Sequence, residues 1–308
     1  MSDAAACVGG AAGRRLSALA GPALLVGAVL AAGLWAYADV IDALMSDWRH
    51  DPNYSCGQLV PLILIYLLWR RRDVLAAEKA RPSVWGAVLL LFAQVVRGAG
   101  LALLFESAQR YAMILTAAGC VLLIGGRRWL WHLRWLGALS LLMVPLPGRV
   151  HNAVSGPLQS QATAGAVFLL EVAGVSVVRE GHTILMNNRV PLAVAEACSG
   201  LRMLTAFVLV AATLAMLIDR PGWQKAVVVL SSVPVAILSN LVRLFVTAEL
   251  YLHVDSAVAE RFFHDFAGLT MMPLAIAMLL GELALLNTLV TADAGPAKSA
   301  AVVDADPA

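Results

Sequence analysis

Residues 194–204 read VAEACSGLRML, with Glu196 two residues before Cys198 and Arg202 four after it. A thiol attacks well only as a thiolate. Its pKa falls at a helix N-terminus and beside Arg or a protonated His. A cysteine that attacks an amide also needs a donor for the oxyanion and an acid for the leaving amine. Two distant stretches offer these groups. SNLVRLFVTAEL holds Asn240 and Arg243, and RFFHDFAGL holds His264. Arg243 does not titrate, which makes it a poor acid but a durable positive charge. His264 suits the acid's task. Cys198 and Arg202 share a helix face by their spacing, as do Asn240 and Arg243.

Blander readings fit the same residues. Free cysteine is among the most buried residue types. An arginine near a helix end often snorkels to headgroups. Glu196 can simply pair with a neighbouring arginine. His151, His182 and His253 are expected on the same side as His264, so spacing alone does not single it out.

The elements that must position these residues are apolar. The chain has 308 residues, 60% hydrophobic and 14% charged, against about 25% charged in soluble domains. Its apolar runs reach the roughly 20 residues that cross a bilayer. The fold class expected is an all-α polytopic membrane protein. Eight spans are drawn at about 17–40, 57–69, 84–105, 108–125, 130–147, 199–218, 223–250 and 265–290. The stretch from Leu16 to Trp35, behind Arg14 and Arg15, is too long for a signal-peptide core and reads as an uncleaved first span. No basic block is interleaved with aromatics, which argues against nucleic acid. Cys7, Cys56, Cys120 and Cys198 form no CxxC, so neither metal nor organic cofactor is implied.

Lys and Arg in short loops orient the spans. Arg70, Arg71, Arg72, Lys79, Arg81, Arg127, Arg128, Arg134, Arg220 and Lys225 fall on one side if both termini are cytoplasmic. Residues 1–16 and 291–308 are then cytoplasmic tails around a membrane domain of 17–290, and about 148–198 lies outside. That outer segment starts at Pro145-Leu146-Pro147-Gly148 and continues as an interfacial helix from His151 to Leu170. A short hairpin turning at Asn187-Asn188 then delivers Cys198 to the sixth span. Cys198, Arg243 and His264 thus reach one membrane depth. Arg97, in the outer half of the third span, is read as lining a polar pocket or pairing with Glu106. Trp129, Trp131 and Trp135 read as an interfacial belt.

EACSGLR, an arginine in the next span and a histidine at the outer end of the last resemble the exosortase/archaeosortase family. DPNYSCGQLVPLILIYLLWRRR, VPLPGRVHNAVSGPLQSQAT and VVREGHTILMNNRVPLAVAEACSGLR resemble other stretches of that family, in its order, from about residue 47 to 285. The resemblance implies catalytic Cys198, Arg243 and His264, with Arg202, Glu196 and Asn240 in support. It implies a bacterial inner-membrane enzyme whose site faces the periplasm. The implied substrates are exported proteins with a C-terminal signal: a Pro-containing motif, PEP in the commonest class, then a transmembrane helix and a basic tail. The implied reaction is cleavage through a thioester. One departure stands out: the family's signature near the second span commonly carries His after Tyr-Ser, where this chain has Cys56. Cys56 also puts a second thiol on the expected outer face, where it could form a disulfide with Cys198.

Two other classes compete. A transporter or flippase for an exopolysaccharide intermediate would line an anion path with Arg97, Arg202 and Arg243, and would spread polar residues across the membrane. A non-catalytic scaffold would depend on apolar surface and tolerate loss of Cys198.

Overall fold

The computed structural model describes residues 27–29, 31–187, 190–194 and 200–254, and the isolated positions 273, 277, 278, 280, 281 and 284. Helix dominates. The contacts divide the chain into two compact units, Met1–His50 with Glu78–Trp131, and Asp51–Ala77 with His132–Ala308.

The first unit contains α1 (Ala38–His50). Helices α2 (Leu59–Arg70) and α3 (Arg72–Ala77) belong to the second. The first unit resumes with α4 (Trp85–Ala102) and α5 (Glu106–Ile124), an antiparallel pair. Small residues let these two backbones meet, as is usual where helices pack in lipid. A Cβ on Gly86 would fall on the backbone of Leu123, and one on Gly119 would lie 2.9 Å from Leu90. Polar groups here satisfy one another. Arg110 pairs with Asp47 at 2.7 Å and with Glu106 at 2.8 Å. Glu106 is therefore the partner of Arg110, one helical turn on, and not of Arg97. Arg97 donates to the Ala36 carbonyl at 2.5 Å and lies over the Tyr37 ring, 4.5 Å from its centroid.

Helix α6 (Gly126–Ser140) begins in the first unit and ends in the second. The second unit continues with α7 (Gly148–Val172), β1 (Val177–Glu180), β2 (Thr183–Met186), β3 (Val190–Ala193), α8 (Leu201–Leu217) and α9 (Gly222–His253). The three strands form one antiparallel sheet in the order β1-β2-β3. The expected hairpin is present as the pairing of β2 with β3. A second hairpin precedes it, closed by Gly181 and His182. Gly181 has φ +63°, which fits a glycine-first two-residue turn.

The sheet's buried face carries Ile184, Met186, Leu192 and Val194. They pack with Ala162, Ala166 and Leu170 of α7 and with Leu244 and Ala248 of α9. A second core joins Val60 and Leu67 of α2 to Leu136 and Leu139 of α6 and Leu209 of α8.

Helices α4, α5 and α9 are long and apolar enough to cross a membrane. A fourth is counted if Gly27–Ala36 and Ala38–His50, bent by 66°, form one interrupted span. The second, fifth and sixth expected spans correspond to helices of 12, 15 and 17 residues. At 1.5 Å per residue, 12 residues cover about 18 Å of a hydrocarbon core of about 30 Å. The fifth stops early for a local reason. Leu141–Met143 tightens to a 3-10 turn, and Pro145 and Pro147 forbid further helix. The interfacial segment expected at 151–170 is helical and longer, Gly148–Val172, with Pro157 inside it. Of the eighth expected span, only the isolated positions are described.

Candidate active site

Three sequence-distant stretches meet at the start of α8. In DPNYSC, the Asn53 N–H donates to the Asp51 carboxylate at 2.8 Å, and Ser55 Oγ donates to the Pro52 carbonyl at 3.0 Å. These local bonds coil the segment into the 3-10 turn Ser55–Gln58 that starts α2. The turn turns Asn53, Tyr54 and Cys56 inward, each less than a tenth exposed. Thr205, one turn after Arg202, lies within donating distance of the carbonyls of Asn53 at 3.2 Å and Arg202 at 3.0 Å. The Cys56 thiol donates to Thr205 Oγ1 at 3.7 Å. Tyr54 Oη meets His151 Nδ1 at 2.7 Å, on the first turn of α7.

Helix α9 supplies the buried charge. Asn240 and Arg243 are 2% and 8% exposed, and Arg243 Nη2 donates to Asn240 Oδ1 at 2.7 Å. A guanidinium out of water is costly unless its protons find acceptors. The i, i+3 spacing makes this bond possible. Gly200 links this pair to the cysteine segment. It caps α8 with φ +91°, in the left-handed region. A Cβ there would stand 3.1 Å from Asn240 Nδ2 and 3.3 Å from its Cγ. A side chain at this position meets both backbone strain and the Asn240 amide, so glycine is what allows α8 to start against α9.

The other end of the cysteine segment is tied down as well. The Val194 N–H donates to the His182 carbonyl at 2.9 Å, and Gln159 Nε2 of α7 donates to the Val194 carbonyl at 2.6 Å. Val194 and Gly200, on either side of residues 195–199, are therefore both held in place. Cys198, Glu196 and His264 themselves lie outside the described residues. Ser239 Oγ reaches Met278 Sδ at 3.7 Å, so α9 also contacts the region of the last expected span.

Cys56, expected on the outer side of the membrane, has a buried side chain. It is 7% exposed and packs with Val60 and Leu209, a free thiol. Burial pushes its pKa up, against the opposing effects of Thr205 and the charge of Arg202.

Sequence reading placed Asn240 beside Arg243 but missed the Tyr54–His151, Asn53–Thr205 and Gln159–Val194 links. All but Thr205 sit in stretches that carry the resemblance, and that was their only signal. Pairings across 97, 152 and 35 residues leave no local pattern.

No curated protein and no solved structure matches the chain. A model of one protein family does, described as transmembrane exosortase (Exosortase_EpsH), over residues 48–281. The match begins just before the DPNYSC turn and runs through β3, Gly200 and α9. With a mostly helical membrane fold around these stretches, the chain belongs to the transmembrane exosortase family of membrane-embedded sorting enzymes.

Proposed function

We propose that the chain is a cysteine transpeptidase or protease that cuts a C-terminal Pro-containing sorting signal from exported proteins. Cys198 is the nucleophile. Its thiolate attacks the scissile carbonyl, a thioester forms, and the substrate's transmembrane helix leaves with the new amine. An acceptor amine or water then displaces the thiolate. Arg243 holds positive charge against the developing oxyanion, and Asn240 orients its guanidinium. His264 protonates the leaving amine. Arg202, at the start of α8, adds a second cation that favours the thiolate. Glu196 supports the site from the cysteine's own segment. The chain lies in the bacterial inner membrane as eight spans, with both termini cytoplasmic and this chemistry on the periplasmic face.

One observation carries the reading. Gly200 backs onto the Asn240 amide that orients Arg243. Cys198 stands two residues earlier in the chain, and two peptide units span at most about 7 Å. A short tether from Cys198 to a glycine that backs onto a buried Asn–Arg pair supports the reading.

The test is to trap the thioester. The protein is co-expressed with a tagged substrate bearing a Pro-containing motif, an apolar helix and a basic tail. Expected is a hydroxylamine-sensitive adduct that Cys198→Ala abolishes and Cys56→Ala does not. Normal processing in Cys198→Ala would sink the assignment.

A further inference from the structure

β3 is an edge strand of the sheet, and in the chain it ends five residues before Cys198. Antiparallel pairs alternate between hydrogen-bonded and non-hydrogen-bonded. The Val194 N–H to His182 carbonyl bond sets the alternation for β3. Opposite Ile184 and Met186, Leu192 and Val190 form hydrogen-bonded pairs. Opposite Leu185 and Thr183, Pro191 and Ala193 form the other kind. The far side of β2 agrees. The Asn187 N–H donates to the Ser176 carbonyl at 2.7 Å, which turns Leu185 and Thr183 toward β1.

Pro191 and Ala193 therefore turn their backbone groups away from β2. Pro191 has no N–H to offer, and the missing donor falls on this outer edge, where a strand proline is tolerated. The edge presents the carbonyls of Pro191 and Ala193 and the N–H of Ala193. No strand pairs with it among the described residues, and Pro191 is exposed. The strand is firmly backed, because Leu192 and Val194 are buried against Leu244 and Ala248 of α9.

We propose that this edge is the substrate's docking strand. An extended segment of the exported protein pairs with Pro191 and Ala193 as a fourth strand, which lays its cleavage motif along the path to Cys198. This rests on the transpeptidase reading above. Strand addition takes its affinity from main-chain hydrogen bonds, so it accepts varied side chains around a fixed motif. The occupant is a short peptide and not a second copy. Three backbone groups can grip an extended peptide, but they are too few for a stable pairing of two folded proteins.

Ala193→Pro is the direct test. It deletes the outward N–H and leaves every bond to β2 in place. Processing of the tagged substrate is expected to fall roughly tenfold, the scale of one peptide hydrogen bond left unmade. Cys198 should keep its wild-type rate of alkylation by a small thiol reagent. A second arm uses the wild-type enzyme in detergent with synthetic substrates N-methylated at successive residues before the scissile bond. It decides the matter if Ala193→Pro fails to accumulate. Loss at alternate positions supports strand addition. Full processing of every N-methylated substrate and by Ala193→Pro, with a normal thioester, overturns strand addition alone. Absence of any Cys198 thioester in the wild type overturns the transpeptidase reading and this inference with it.

Discussion

Tyr54 and His151, 97 residues apart, meet through a 2.7 Å bond between the phenol oxygen and Nδ1, with their rings 5.8 Å apart. The bond pins the turn before α2 to the first turn of α7. Tyr54→Phe keeps the ring and removes the bond. It should lower stability by about 1 kcal/mol, read as a drop in the thermal midpoint in detergent. The Tyr54→Phe, His151→Ala double variant should lose less than the sum of the singles, because both remove one contact.

Gly200 tolerates no side chain without cost. Gly200→Ala meets left-handed backbone strain of roughly 1–2 kcal/mol together with the Asn240 amide at 3.1 Å. Processing should fall while the protein still accumulates. Adding Asn240→Ala should relieve the contact but not the strain, so stability recovers in part. Full stability in Gly200→Ala alone would show that α8 starts differently.

Arg243 separates charge from geometry. Arg243→Ala should reduce processing by a factor on the order of 10² or more, the usual effect of removing one oxyanion donor. Arg243→Lys keeps the charge but loses the planar fork that meets Asn240 Oδ1 at 2.7 Å. It should fall between wild type and Arg243→Ala. Rates of adduct formation at matched expression rank the three.

Cys56 should behave as the silent thiol. Its burial holds it protonated near neutral pH, so a water-soluble maleimide should label wild type at Cys198 far faster than at Cys56. Cys56→Ala should keep processing, with a modest loss of stability from the emptied space beside Val60 and Leu209. Rapid labelling of Cys56 would mean that the turn opens.

Elements were legible in the sequence where a single local rule governs them. The apolar lengths of α4, α5 and α9 announced spans, and the Asn187-Asn188 turn announced a hairpin. The Arg243–Asn240 bond followed from a three-residue spacing. The Gly181-His182 hairpin was missed because β1 shows no alternation to flag it. Its last three residues are all exposed. The break of α6 at Ser140 was missed because hydropathy continues through Leu141–Met143, while the prolines that stop the helix lie beyond. Arg97 was offered Glu106 on grounds of charge. The structure gives it a carbonyl and an aromatic face, which are invisible to charge counting.

The shortness of α2 bears on how water and lipid share the site. Its 12 residues measure about 18 Å. Under the proposed topology, with Arg70, Arg71 and Arg72 at the cytoplasmic headgroup layer, its other end would stop roughly 10 Å short of the opposite one. The Asn53–Cys56 turn would then lie below the outer headgroups, and a substrate helix would stay in lipid while its first extended residues bend sideways to reach it. Cleavage would require a lateral step within the membrane plane, and no withdrawal of the helix from the bilayer.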